Sequence, residues 1–311
     1  MPLPNPAAMN PPNASTPNPF LTLKARWVLA DFVIISMLLG LGLMLLASLN
    51  LLPIQVGDPI LAPLIYSLVF AGLCLVTVVR QRSPALNLRD VLGPLPRRSA
   101  WRQLLGLVAG LFLFSLGAFQ VSYLVLSWVA PHQVESTLQQ SLLLSADNTA
   151  APRFYNGLML FSVVVVAPVT EEFIFRGILL HRWAIKWGVR TAMILTSLLF
   201  GLLHANPIGL FMFGLVMALL YLTTRSLLVP MVAHALNNAL AYGLEYTTRL
   251  SSAPSLYTLA ELQSGWWLGG LCLLISAPWV LRYAVYHWPS ATTPLPYFVN
   301  QSQRIRPSQP R

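Results

Sequence analysis

Residues 155–180 read YNGLMLFSVVVVAPVTEEFIFRGILL, an apolar run interrupted by two adjacent carboxylates, Glu171 and Glu172, and one guanidinium, Arg176. A helix rises about 1.5 Å per residue, so the run is long enough to cross a hydrocarbon layer of about 30 Å. The apolar sequence FIFRGILL continues beyond the acids, which places them inside the span and not at its end. Charge at that depth is costly and ordinarily faces a cavity or a partner. The stretch therefore reads as a membrane helix with an ionisable interior.

The whole chain supports that reading. Of its 311 residues 56% are hydrophobic and only 9% charged, whereas soluble domains carry about a quarter charged residues. Seven further apolar stretches stand out, at about 27–49, 60–79, 104–129, 191–205, 207–222, 227–245 and 266–286. The fold expected is an all-α, polytopic transmembrane bundle of about eight spans. Residues 26–288 would form it, between a disordered cytoplasmic tail at 1–25, rich in Pro and Asn, and a polar cytoplasmic tail at 289–311.

The net charge of +10 has a membrane explanation. Lys24 and Arg26 precede the first span, and the loop after it has no Lys or Arg as far as Asp58. Arg80, Arg82, Arg89, Arg97, Arg98 and Arg102 follow the second span; Arg182, Lys186 and Arg190 follow the fourth. The alternation predicts both termini in the cytoplasm, with Arg153 and Arg249 on the less usual side. Basic residues beside apolar spans fit contact with a lipid bilayer, and no basic face with interleaved aromatics points to nucleic acid. Cys74 and Cys272 lie in apolar stretches and suggest neither a disulfide framework nor a thiol metal site.

The polar residues inside the spans form a pattern. Glu172 and Arg176 are one helical turn apart and can pair, while Glu171 points about 100° away. His204 stands one turn after Phe200 at the end of the fifth span. His234 and Asn238 share a face of the seventh. Glu171 lies roughly 15 Å along its helix from His181, His204 roughly 21 Å from Arg190, and His234 and Asn238 roughly 10 and 16 Å from Leu227. Helices of alternating direction would bring these groups to a similar level.

The motifs EEFIFRG (171–177), FGLLHA (200–205) and HALNN (234–238) together resemble those of the CPBP family, which comprises CAAX prenyl endopeptidases and bacteriocin-processing or immunity proteins. The likeness covers residues 155–245. It implies an intramembrane endopeptidase core, with Glu171, His204, His234 and Asn238 as catalytic groups and a membrane-associated peptide or protein as substrate. In that reading Glu171 activates water, His204 shuttles a proton, and His234 and Asn238 stabilise the oxyanion. Glu172 and Arg176 support the helix. No cofactor is expected. Zinc on two histidines and a glutamate is the alternative, disfavoured because Asn238 is a poor zinc ligand and a good hydrogen-bond donor. Buried Glu and His also suit a proton-coupled transporter, and a non-catalytic scaffold or immunity protein could keep the same fold.

Of the remaining polar residues, Asp31 suits a cap or a snorkelled contact, and His181 the membrane interface. Gly106 and Gly110 form a G-x-x-x-G packing signal. Trp266 and Trp267 read as interface anchors.

Overall fold

The computed structural model describes residues 18–51, 55, 57–80, 86–96, 98–139, 149, 151–251 and 258–305. The first 17 residues, Arg82, Arg97 and residues 306–311, with their share of the expected tails and loop charges, lie outside them. Every regular element among the described residues is helical. The long ones are α1 (Ala25–Ser48), α2 (Leu61–Arg80), α3 (Arg98–Ser127), α4 (Pro152–Trp187), α5 (Val189–Leu202), α6 (Pro207–Thr224), α7 (Leu228–Ser251) and α8 (Trp266–Tyr286). A shorter helix, α9, spans Pro296–Ile305.

Six of these, all but α5, α7 and α9, are long and apolar enough to cross a membrane. At 14 residues α5 is roughly 21 Å long, short of a full crossing. It also stops earlier than expected. Leu203 closes it with φ −81° and ψ 0°, and Pro207 starts α6 with Asn206 as N-cap, whose side chain accepts from the Gly209 N–H. A proline disfavours helical geometry in the residue before it. His204 therefore sits in the turn between the two helices.

α6 and α4 form the centre, with 61% and 50% of their apolar windows buried. α1 buries only 11% and turns its apolar side chains outward, as a lipid-facing helix does. α4 is flanked by α2 on one side and α7 on the other, and α5 packs along α6. α3 and α8 approach closely through small residues: a Cβ at Gly117 would meet the Gly269 carbonyl oxygen at 2.7 Å. Gly106 and Gly110 face Trp279 and Val280 on the same helix, so the G-x-x-x-G is part of a tight interface.

The two ends differ from the tails expected. Asn18 caps the turn Pro19–Thr22 by accepting from the Phe20 N–H at 3.0 Å. Phe20 is fully buried, stacked on His181 at 4.8 Å and set edge-on to Tyr297 and Phe298. The segment at residues 18–23 is thus packed against the bundle, because one large aromatic finds a pocket whose burial offsets the entropy of ordering. At the other end α9 buries Tyr297 and Phe298 and forms a two-point ion pair, Arg304 donating to both oxygens of Asp90 at 2.9 and 2.8 Å.

Candidate active site

The backbone of α4 prepares the site. Residues Ser162–Val166 and Phe173–Leu179 are wound as π-helix, on either side of the α-helical turns Ala167–Glu172. Ala167 N–H reaches back five residues to the Ser162 carbonyl. The next donor in that register would come from residue 168, which is proline and has no N–H. The Val163 carbonyl is thereby left without its helical partner, and Asn238 Nδ2 on α7 donates to it at 2.9 Å. Buried backbone acceptors are nearly always satisfied, and here a side chain of a neighbouring helix does it. Such π segments are frequent at functional sites.

Glu172 is fully buried, and so is Arg176. Arg176 Nη1 donates to Glu172 Oε1 at 2.8 Å, the pairing expected from their spacing. Nη2 donates to the Gly214 carbonyl of α6 at 3.0 Å, and the guanidinium lies 4.7 Å from the centre of the Phe200 ring. Gly214 permits this approach, since a Cβ there would stand 3.1 Å from Nη2 and 3.1 Å from Ser197 Cα. A buried charge of this kind is tolerable only when paired and hydrogen-bonded.

Glu171 faces the other way. Its Oε1 accepts from the Tyr66 hydroxyl of α2 at 2.6 Å. Its Oε2 is buried without a hydrogen-bond partner and stands 4.0 Å from His234 Nε2. The opposite ring nitrogen, His234 Nδ1, donates to Glu172 Oε1 at 3.0 Å. One imidazole therefore bridges both acids, although their side chains diverge along α4. The bridge fixes the ring: with Nδ1 as donor, Nε2 is the nitrogen turned to Glu171.

His204 is partly buried. Its Nδ1 donates to the Phe200 carbonyl at 2.6 Å, which leaves Nε2 free. Its ring lies 4.6 Å from that of Phe200, which in turn lies 5.9 Å from that of His234. Phe200 thus stands between the two histidines. No hydrogen bond joins His204 to Glu171 among the described residues. Asn238, one turn beyond His234, has one amide proton committed to Val163 and a second one available. Its neighbour Asn237 donates weakly to Asn238 Oδ1 at 3.5 Å.

Of the six residues singled out in the sequence, Glu171, Glu172, Arg176 and His234 form one connected cluster. Asn238 touches the same helix at Val163, more than two turns before Glu171, and His204 joins through Phe200. Among the described residues no three of His, Cys, Asp and Glu group closely enough to hold a metal ion. Tyr66 was not found from sequence. Its signal is a phenol in the middle of an apolar span, where a hydroxyl must find a partner. Neighbouring contacts hold α2 in register: Ser67 and Ser162 share a hydrogen bond at 2.8 Å, and Cys74 lies 3.8 Å from the Thr170 carbonyl.

Comparison with known proteins bears on the same helices. Residues 153–240 match a family model described as Type II CAAX prenyl endopeptidase Rce1-like. Over 84 residues the chain is 33% identical to a Bacillus subtilis (strain 168) protein named "Putative membrane peptidase YdiL". That alignment covers 26% of this chain and 34% of the relative, so the chain spans about a third of the relative's length. No solved structure matches the chain. The matched region runs from α4 through the first half of α7 and holds every member of the polar cluster except Tyr66. It follows that the chain is a multi-pass membrane protein in which residues 153–240 are similar to the Rce1-like family.

Proposed function

We propose that this protein is an intramembrane endopeptidase that hydrolyses a peptide bond in a membrane-associated substrate, of the prenylated CAAX type or a leader peptide. One observation carries the reading. The Glu171 carboxylate is buried, pinned through Oε1 by Tyr66, and presents an unpartnered Oε2 beside His234 Nε2. A carboxylate held in this way is suited to take a proton from water.

In the proposed step a water oxygen attacks the substrate carbonyl carbon while Glu171 Oε2 accepts a water proton. The proton taken up by Glu171 then passes by way of His204 Nε2 to the leaving amine nitrogen as the C–N bond breaks, which restores the Glu171 carboxylate. His234 faces the oxyanion through Nε2, and Asn238 offers it its second amide proton. Glu172 and Arg176 orient His234 and keep the charge of the cluster balanced. Zinc is the competing water activator, with Glu171, His204 and His234 as its donors. The metal-free reading is supported by the commitment of Glu171 Oε1 to Tyr66 and by the distribution of the three donors around Phe200.

The positively charged loops support an orientation with both termini in the cytoplasm. Cysteine labelling at residues 89 and 133 should place them on opposite faces of the membrane. The activity test is cleavage of a prenylated CAAX peptide, its unprenylated counterpart and a leader peptide by purified protein in liposomes. Cleavage of at least one, lost in Glu171→Ala and retained after exhaustive chelation, is expected. Loss on chelation with recovery on zinc alone would overturn the metal-free mechanism. Undiminished cleavage by Glu171→Ala would overturn the assignment of the base.

A further inference from the structure

Away from this cluster, the start of α1 and the end of α4 enclose a cleft of about 330 Å³. Lys24, Arg26, Arg182 and Lys186 line it together with Trp183 and Trp187, and no carboxylate does. Arg182 is fixed there, its Nη1 donating to the Phe20 carbonyl at 2.9 Å and the Leu21 carbonyl at 3.3 Å. The Lys186 ammonium lies 4.7 Å over the Trp187 ring. Among the described residues none of Lys24, Arg26 and Lys186 has a carboxylate partner.

A second cleft, of about 230 Å³, shares Lys24 and shows the contrast. There Arg80 stands beside Lys24 and donates to Asp31 at 2.8 Å. One of the two cations is paired in that cleft, and among the described residues none of the four in the first has a carboxylate partner. The open cleft lies where apolar helices end and tryptophans gather, the level of lipid headgroups. Ala25 lines it, and from Ala25 a ridge of every fourth residue runs down α1: Leu29, Val33, Met37 and Leu41. These four are 65%, 46%, 59% and 63% exposed. A cationic recess thus opens directly onto an unpacked apolar ridge.

We propose that this cleft is a binding site for the phosphate of an anionic phospholipid, whose acyl chains lie along the α1 ridge. Four cations around one recess match a phosphodiester and an acidic headgroup, and a zwitterionic headgroup much less well. A free phosphate ion shares the first feature and makes no use of the ridge.

The test is native mass spectrometry of the full chain in detergent, titrated separately with phosphatidylglycerol, phosphatidylcholine and inorganic phosphate. Phosphatidylglycerol should bind most tightly. Lys24→Ala/Lys186→Ala should weaken it about thirtyfold (about 2 kcal/mol), at about 1 kcal/mol per basic residue, and Lys24→Arg/Lys186→Arg should restore it. Both lysines are exposed, and size-exclusion profiles check that the variants stay folded. Equal binding of the two lipids by the unaltered protein overturns the proposal without recourse to any variant. So does phosphatidylglycerol binding unchanged in the double alanine variant. Inorganic phosphate binding as tightly as phosphatidylglycerol would assign the cleft to a soluble anion and overturn the lipid assignment.

Discussion

α4 carries two buried polar clusters that differ in how completely they are satisfied. Around His181 the bonds close. Nδ1 donates to the Arg176 carbonyl at 3.1 Å, Nε2 accepts from the Tyr297 N–H at 3.2 Å, and Phe20 covers the ring. Nearby, Asp90 has both oxygens bound by Arg304. Around Glu171 the bonds stay open: Oε2 of Glu171, Oε2 of Glu172 and Nε of Arg176 are buried without hydrogen-bond partners among the described residues. Leaving a buried polar atom unpaired costs about 1–3 kcal/mol. The closed cluster ties both ends of the described chain to α4, and the open one is where the proposed reaction is placed.

The contrast is tested most severely at Glu171. Glu171→Gln keeps the hydrogen bond from Tyr66 and removes the proposed base. Cleavage normalised to folded protein should fall about 10³-fold, with the thermal midpoint near that of the unaltered chain. A rate close to normal would move the chemistry elsewhere.

Glu172→Gln should act on stability first. It leaves Arg176 buried without its carboxylate, at a cost of about 3 kcal/mol, readable by denaturant titration in detergent. Activity per folded molecule should persist in part. A fully folded, inactive Glu172→Gln would exchange the roles given to the two acids.

His181→Ala sharpens the other side. It removes the acceptor for Tyr297 N–H and the surface against which Phe20 stacks, and should lower stability by about 2 kcal/mol. Limited proteolysis should then release α9, while the cleavage rate per folded molecule stays within a factor of about two. A loss of activity as large as that of Glu171→Gln would show that the closed cluster takes part in the reaction.

Tyr66→Phe is the mildest change. It deletes one hydroxyl beside an acid and fills the same volume. Cleavage should drop about tenfold, the equivalent of one hydrogen bond to a charged group, and stability by about 1 kcal/mol because Glu171 Oε1 loses its donor. An unchanged rate would reduce Tyr66 to a packing residue.

Much of this was legible in the sequence because it is local. The apolar runs mark the helices, and the i, i+4 spacing pairs Glu172 with Arg176. What stayed hidden depends on distance along the chain. Tyr66 and Glu171 are 105 residues apart, and a tyrosine within an apolar run carries no mark of its partner. Phe20 and α9 read as tail because their surroundings are polar; burial of two or three aromatics outweighs that composition. His204 was assigned to the end of a helix, yet Pro207 and the Asn206 cap end α5 two residues before it. Pro168 marks a missing N–H next to the first wide turn of α4, but only the partner of the Val163 carbonyl shows that α7 repairs the break.

The placement of Glu171 on α4 also works as a ruler. Glu171 is 16 residues from Trp187, roughly 24 Å along the helix axis. A fully extended peptide covers about 3.4 Å per residue. A substrate threaded end-first from the surface near Trp187 would need roughly seven residues to bring a peptide bond level with the carboxylate. A shorter tail can reach it only if its anchor travels with it into the hydrocarbon layer and meets the helices from the side.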